Sequence, residues 1–199
     1  MYKRQLLAWC EEAGVEVVTL WLLSTDNLDR DASELEPLLR IIERAVSDLA
    51  AAHRWRLHPI GALDLLPAHI AEALRAAETA TQDVAGLTVN VAVGYGGRRE
   101  IADAVRHLLL DHARAGTSLE DLAATVSVEE IASHLYTRGQ PDPDLVIRTS
   151  GEQRLGGFLL CQSAKSDFHF CEAYWPDFRK VDLLSALRSY ATPEPRFGR

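Results

Sequence analysis

The sequence has little cysteine and no long, uninterrupted hydrophobic run. Its three cysteines, Cys10, Cys161 and Cys171, are odd in number and lack CxxC spacing, which argues against a disulfide framework or a zinc site. The longest apolar stretches, residues 17–23 and 87–93, contain polar residues and are far shorter than the ~20 residues of a membrane-spanning helix. Because the first residues also lack a signal-peptide pattern, we expect a folded, soluble protein of the cytoplasm.

The chain also has little lysine and a deficit of positive charge. Its net charge is −8, and only three of its 21 basic residues are lysines. Nucleic-acid backbones require a basic face, so we expect no nucleic-acid partner, and an anionic ligand would need a local group of arginines. The 199 residues, 47% of them hydrophobic, are typical of a globular protein. We predict a single domain over residues 1–199.

Strand and helix patterns alternate along the chain. Apolar, β-branched runs predict strands at residues 15–23, 55–60, 87–93, 144–149 and 168–171. Helical spacing predicts helices at residues 6–13, 33–49, 67–80, 98–115, 126–135 and 181–190. Ser33 with Glu36 and Ser127 with Glu130 have capping-box spacing, so we expect both serines to begin helices. This order indicates an α/β fold with a central, mostly parallel β-sheet flanked by helices.

Ligands of such sheets bind at the carboxyl ends of the strands, and two predicted strand ends carry candidate residues. Ser24, Thr25, Asp26 and Asn27 follow the first strand, and such short polar side chains either form a turn or line a site. Residues 94–98, GYGGR, separate a strand from a helix, where backbone N–H groups can approach an anion. Since they match neither a P-loop nor a dinucleotide fingerprint, a plain tight turn is equally consistent.

A third strand end is more specific. Arg148 and Arg154 flank hydroxyl residues and a glycine in the segment RTSGEQR. Two guanidinium groups and hydroxyl donors on one loop can surround a dianionic group, although the same residues could form a surface salt-bridge loop. Asp167 and Glu172 follow, and acidic residues near such a cluster can hold a divalent cation or be ordinary solvated charges.

Five segments resemble, in order, the sequence blocks of the cis-prenyltransferases, also called Z-isoprenyl or undecaprenyl diphosphate synthases. They are LWLLSTDN at residues 20–27, GYGGR at 94–98, PDLVIRTSGEQR at 143–154, YWPDF at 174–178 and RFG at 196–198. The resemblance covers essentially the whole chain and is nearest to short-chain actinobacterial members. It implies condensation of isopentenyl diphosphate with an allylic diphosphate to form a new cis double bond, with Mg²⁺ as cofactor.

The resemblance also implies roles for the arginine loop and its neighbours. Arg148 and Arg154, together with Ser150 and Gly151, would bind the diphosphate of isopentenyl diphosphate. Asp167 stands where the family commonly has a metal-binding glutamate, and it would be the metal ligand. The shorter side chain, and Gly156 in place of a frequent serine, are departures from the family pattern.

Further roles follow for the other blocks. Ser24 and Asn27 would be the catalytic residues, with Asn27 assisting proton removal at the reacting end. Arg98 would support the active-site loop. Arg196 would reach a diphosphate, and in a homodimer this would be a diphosphate bound by the partner subunit. Leu22 would lie at the floor of the product tunnel where long-chain enzymes often carry alanine, which predicts a short, C15 product. The lipid product makes peripheral membrane contact possible.

One family block has no counterpart in the printed sequence. The opening strand that ends in MDGNxRW, with its metal-binding aspartate and phosphate loop, is missing, so we expect a truncated gene fragment, nearly inactive as a synthase, that lacks the first strand of the fold. An alternative is a non-catalytic subunit of a heteromeric prenyltransferase, and a terpene synthase or phosphatase of the same fold is a third. The intact pair Arg148 and Arg154 favours the synthase.

Overall fold

The structure is a computed structural model that describes residues 2–154 and 156–192. Its helices are α1 (Tyr2–Glu12), α2 (Ala32–Ala51), α3 (Ala68–Thr81), α4 (Gly97–Ala115), α5 (Leu119–Thr125), α6 (Val128–Ala132) and α7 (Lys180–Ala191). Its strands are β1 (Val17–Ser24), β2 (Arg56–Ile60), β3 (Thr88–Tyr95), β4 (Leu145–Arg148) and β5 (Asp167–Phe170). All five predicted strands are present, and every strand pair in the described residues is parallel, so the predicted α/β fold is confirmed.

The chain forms two compact units, the larger of which comprises residues 16–140 and 157–161. It contains a three-stranded sheet in the order β1-β3-β2. Every residue of β3 from Val89 to Tyr95 is buried, as is typical of a parallel strand covered on both faces. Buried aliphatic side chains of α2 and α3, such as Ile42, Val46 and Ile70, complete this core, and burial of each contributes about 1.5–3 kcal/mol.

The smaller unit contains the described residues of Met1–Val15, Pro141–Gly156 and Gln162–Arg199. Its sheet consists of β4 and β5, with Leu145 opposite Asp167 and Arg148 opposite Phe170. Lys180 of α7 donates to Glu12 of α1 at 2.5 Å. Within the described residues, no helix of either unit combines the length and apolar character that crossing a membrane requires.

The ladder between β1 and β3 contains two compensating irregularities. Its register pairs Trp21 with Ala92, Leu23 with Val93, and Ser24 with Tyr95. Leu22 is therefore an extra residue in β1, and Gly94 is an extra residue in β3 with φ +60°. Bulges of this kind redirect side chains and are common beside functional sites.

Two helix predictions were wrong. Helix α2 begins at Ala32, before Ser33, because the Asp31 carbonyl already accepts from the N–H groups of Glu34 and Leu35 at 2.9 and 3.0 Å. The predicted helix 126–135 is shorter, from Val128 to Ala132, and α5 precedes it. The Ser127 cap is confirmed, since its Oγ accepts from the Glu130 N–H. Pattern analysis missed α5 because Leu122 is its only buried side chain.

Candidate active site

Ser24 and Asn27 form a closed turn at the carboxyl end of β1. The Ser24 N–H donates to Asn27 Oδ1, and the Asn27 N–H donates to Ser24 Oγ, both at 3.2 Å. The turn interpretation of this segment is therefore correct at the level of geometry. It leaves the Ser24 hydroxyl proton and the Asn27 amide N–H groups without a role in these two bonds, so both side chains retain donors that can serve a ligand.

The glycine loop lies against this turn. The Thr25 N–H donates to the Tyr95 carbonyl at 3.1 Å, and a Cβ on Gly96 would stand 2.5 Å from Thr25 Oγ1. A larger residue at position 96 would therefore force the Thr25 side chain to shift. The next glycine, Gly97, contacts another part of the larger unit, where its N–H donates to the Gly157 carbonyl at 2.8 Å.

A buried tyrosine and glutamate hold the segment that follows Gly157. The Tyr95 hydroxyl donates to Glu100 at 2.5 Å and accepts from the Leu159 N–H at 3.2 Å. Both side chains are at most 1% exposed, and burial together with the Glu100 charge raises the pKa of Tyr95. Leu159 has φ +45°, a strained conformation for leucine, so this hydrogen bond helps to fix its backbone.

Asp103, one helical turn beyond Glu100, is a second acidic centre in α4. Its carboxylate accepts from the Tyr136 hydroxyl at 2.6 Å, from Arg99 at 2.8 Å and from Arg106. Burial alone would raise the pKa of Asp103, but these hydrogen bonds outweigh burial and hold it below its ordinary value. The Tyr136 N–H donates to Glu100 at 2.9 Å, so the two acids fix the chain around Tyr136.

The arginine loop has an unusual backbone in the smaller unit. Ser150 and Gly151 have φ of +73° and +69°, and a non-glycine residue in this region is uncommon. Their N–H groups donate to the carbonyls of Ala173 and Cys171 at 2.9 and 3.0 Å. The N–H groups of Ser150 and Gly151 are therefore already occupied, and a ligand would be bound by other donors of the loop.

Arg148 and Arg154 converge on one carboxylate. Arg148 Nη2 donates to Glu152 Oε2, and Arg154 Nε lies 3.4 Å from the same oxygen. The hydrogen bonds from Arg148 and then Arg154 lower the pKa of Glu152, so it is an anion at neutral pH. Arg148 Nε is buried without a hydrogen-bond partner in the described residues, and a buried unsatisfied donor of this kind is costly unless it serves a ligand.

Four predicted site residues remain, and they are Arg98, Leu22, Asp167 and Arg196. Arg98 is exposed in the first turn of α4, and its neighbour Arg99 donates to Asp103. Leu22 is half-buried at its bulge. Asp167 opens β5, opposite Leu145, and no group of three His, Cys, Asp or Glu side chains suited to a metal occurs in the described residues. Arg196 lies outside the described residues.

Comparison with known proteins identifies the family. A family model described as "Putative undecaprenyl diphosphate synthase" matches residues 2–198. The chain belongs to this family. The "(2Z,6E)-farnesyl diphosphate synthase" of Thermobifida fusca is 64% identical, and "Isoprenyl transferase 1" of Streptomyces avermitilis is 60% identical, each over 194 residues. Each match covers 98% of this chain and 76% of the relative.

Solved structures of the family share the fold. The crystal structure of lavandulyl diphosphate synthase from Lavandula x intermedia, in complex with dimethylallyl diphosphate, matches with a TM-score of 0.89 and 31% identity, covering all of this chain and 85% of that one. A probable undecaprenyl diphosphate synthase from Campylobacter jejuni matches with a TM-score of 0.84 and 24% identity, over 100% and 90% of the two chains. The resemblance drawn from the five sequence blocks is confirmed.

Sequence reasoning missed the acidic centres of this isoprenyl transferase chain. Glu100 and Asp103 follow the GYGGR loop at a spacing of one helical turn, and both are buried. Two acids on the buried face of an otherwise regular helix are a signal in themselves, since buried carboxylates require partners. Their donor Tyr95 lies within the GYGGR block, but no sequence pattern indicates its buried partner, and Tyr136 belongs to none of the five blocks.

Proposed function

We propose that this protein catalyses cis-prenyl chain elongation, in which isopentenyl diphosphate condenses with an allylic diphosphate to give a short Z-prenyl diphosphate of 15 carbons. Two supports are the names of the T. fusca and S. avermitilis relatives. The observation that carries the proposal is the convergence of Arg148 and Arg154 on a single anionic group. A diphosphate suits this pair better than a carboxylate, because it offers more acceptor oxygens and more negative charge.

In this proposal the diphosphate of isopentenyl diphosphate replaces the Glu152 carboxylate on Arg148 and Arg154. The Arg148 Nε donor, which is buried and without a partner in the described residues, is then satisfied by a phosphate oxygen. The Ser150 hydroxyl adds a donor, while Gly151 adopts its positive φ without strain. Charge-assisted bonds of this type orient a substrate as well as bind it.

The bond-forming step assigns roles to the β1 turn. C4 of isopentenyl diphosphate attacks C1 of the allylic substrate, the C1–O bond to diphosphate breaks, and a proton leaves C2. Ser24 and Asn27 use one acceptor each to close their turn, so their remaining donors can bind the departing diphosphate, whose oxygen accepts the proton. We propose that Arg98 supports the active-site loop.

Magnesium, subunit partners and location complete the proposal. Mg²⁺ is commonly held by one or two carboxylates plus substrate phosphates, so the single carboxylate Asp167 fits a site completed by diphosphate. Bound there, the ion would neutralise phosphate charge. We further propose a homodimer in which Arg196 reaches a diphosphate, a cytoplasmic location, and peripheral membrane contact through the lipid product.

Leu22 supports a short product. It is the extra residue of the β1 bulge and is half-buried, whereas its neighbours Leu20 and Leu23 belong to the core. A bulge turns a side chain out of the regular alternation of a strand. We propose that Leu22 narrows the space available to the growing isoprenoid.

Binding of isopentenyl diphosphate to the chain tests the proposed function directly. By calorimetry with Mg²⁺ present, Arg148→Gln and Arg154→Gln should each weaken binding by about 10- to 100-fold, the usual effect of losing a charge-assisted bond. Arg179→Gln is the matched control, because Arg179 is an exposed arginine of the same unit paired with Asp182. Unchanged affinity in both loop variants would contradict the proposal.

Binding of isopentenyl diphosphate also distinguishes a synthase from the two alternative functions. A non-catalytic subunit of a heteromeric prenyltransferase has no need to bind isopentenyl diphosphate, and a terpene synthase or phosphatase needs only one diphosphate site. Arg148 and Arg154 are both present and contact the same carboxylate. This pair favours a synthase over either alternative.

A further inference from the structure

A groove lies between the C-terminal half of α4 and the segment that follows α6. Its volume is about 400 Å³, and its walls include His107, Asp111 and Arg114 on one side and His134 and Arg138 on the other. The three α4 residues are spaced by three or four positions, which places them on one face of the helix. All five belong to the larger unit, and none belongs to the candidate active site.

The groove is basic although the chain is acidic. The protein carries a net charge of −8, yet two arginines and two histidines line this groove against one carboxylate, Asp111. Asp111 is already shared, since Arg114 donates to it at 2.9 Å and His134 Nε2 lies 3.4 Å from it. The side chains of Arg138 and His107 make no hydrogen bond or ion pair with the described residues, so their donors point to an anionic ligand.

Both walls are fixed before any ligand arrives. His112 of α4 bonds Glu130 of α6 at 2.6 Å, and His134 Nδ1 lies 2.9 Å from the Glu130 carbonyl. Two residues before Arg138, Tyr136 donates its hydroxyl to Asp103 at 2.6 Å. A site whose walls are already held in place loses less conformational entropy on binding.

We propose that this groove binds a small ligand carrying a phosphate or diphosphate group, held by Arg114 and Arg138. Leu110, which also lines the groove, offers an apolar wall for a short organic part. The site is distinct from the glycine loop, because Leu110 lies twelve positions after Arg98 in α4, a rise of about 18 Å along the helix. The proposal goes beyond the proposed function and does not depend on it.

Amide shifts in ¹H–¹⁵N spectra of the labelled chain, titrated with inorganic diphosphate at about 0.15 M salt, test the groove residue by residue. We expect saturable shifts at Arg114, His134 and Arg138. Arg138→Gln should weaken the binding measured at Arg114 and His134 by about 10- to 100-fold, and Arg138→Lys should weaken it less. Arg75→Gln, a surface arginine of α3 outside the groove, is the charge-matched control and should leave the affinity unchanged.

The outcomes for the groove and for the arginine loop are separable. Absent or non-saturable shifts at the groove, or affinity unchanged by Arg138→Gln, would overturn the groove site, even if Ser150 and Gly151 shift as the proposed function expects. Saturable groove shifts that Arg138→Gln abolishes would support the groove site, even if Ser150 and Gly151 do not respond.

Discussion

Asp103 shows how a single buried acid can organise its surroundings. Its carboxylate accepts from one phenol and two guanidinium groups, and its side chain is only 9% exposed. Hydrogen bonds to an ionised acceptor are stronger than those between neutral groups. The folded protein therefore favours the ionised form of Asp103, which lowers its pKa despite burial.

This preference predicts a pH-dependent contribution to stability. A carboxyl whose pKa is lower in the folded than in the unfolded state stabilises the fold above its unfolded pKa, and the contribution disappears as pH falls through the folded value. By urea denaturation, Asp103→Asn should lower the free energy of unfolding by about 1–3 kcal/mol at about pH 6, and the difference should shrink towards about pH 3.

The exposed acid Asp83 supplies the control. Asp83→Asn removes the same charge without breaking a side-chain hydrogen bond or ion pair of the described residues, so its effect on the free energy of unfolding should be small at every pH. A difference between wild type and Asp103→Asn that stays constant with pH would show that Asp103 is not the titrating group.

At the scale of the element, the bulge of β1 places Leu22 outside the regular pairing of the strand, and we propose that this side chain limits the length of the isoprenoid. In a chain that carries the family's opening block before residue 1, Leu22→Ala should lengthen the product beyond 15 carbons. The smaller side chain opens space that a close-packed interior otherwise denies. Product lengths are read by chromatography of the dephosphorylated alcohols.

Val18→Ala is the matched control for this experiment. Val18 is also half-buried in β1, near the other end of the strand, so its truncation should leave the product length unchanged. If both variants make the same product as the parent, Leu22 does not limit the chain.

Strands and long helices could be predicted from the sequence because their signals are local. The run from Leu87 to Val93 identified β3 within two residues of its observed ends, and the stripe along α4 did the same for that helix. The bulge at Leu22 could not be predicted from the sequence. In a strand that is apolar on both faces, a one-residue shift in its pairing with β3 does not change the hydrophobic pattern. The Tyr95–Leu159 hydrogen bond joins residues 64 positions apart, which no local pattern encodes.

At the scale of the whole molecule, the two units differ in how much core they bury. The central strand β3 is paired on both sides and buried from Val89 to Tyr95. In the described residues β5 pairs only with β4, and its Phe168 and Phe170 are 37% and 42% exposed. Regions with few buried apolar contacts open at lower free energy than the whole domain.

Native-state hydrogen exchange should therefore separate the units. The amides of Val89 and Val91 should exchange only through global unfolding, with the full denaturant dependence of that transition. Hydrogen-bonded amides of β5 should exchange through a smaller opening that denaturant affects little. Identical opening free energies and denaturant slopes for β3 and β5 would contradict this view and indicate one cooperative unit.

The candidate site of the larger unit could be located from sequence, but its supports could not. Ser24, Asn27 and the GYGGR loop were found because polar and glycine residues follow apolar runs. The role of Tyr95 within that loop, and Glu100 altogether, could not be predicted because they depend on burial and on Leu159, which lies 64 positions beyond Tyr95. Such partners are defined by the folded chain, and only the structure brings them together.

The paired irregularities at Leu22 and Gly94 limit how these two strands can change length. Removing Leu22 alone would leave Gly94 as an unmatched residue of this ladder, and removing Gly94 alone would leave Leu22 unmatched. Only a double deletion would return the ladder to a regular register. We therefore expect a change of length in one strand at this point to require a matching change in the other.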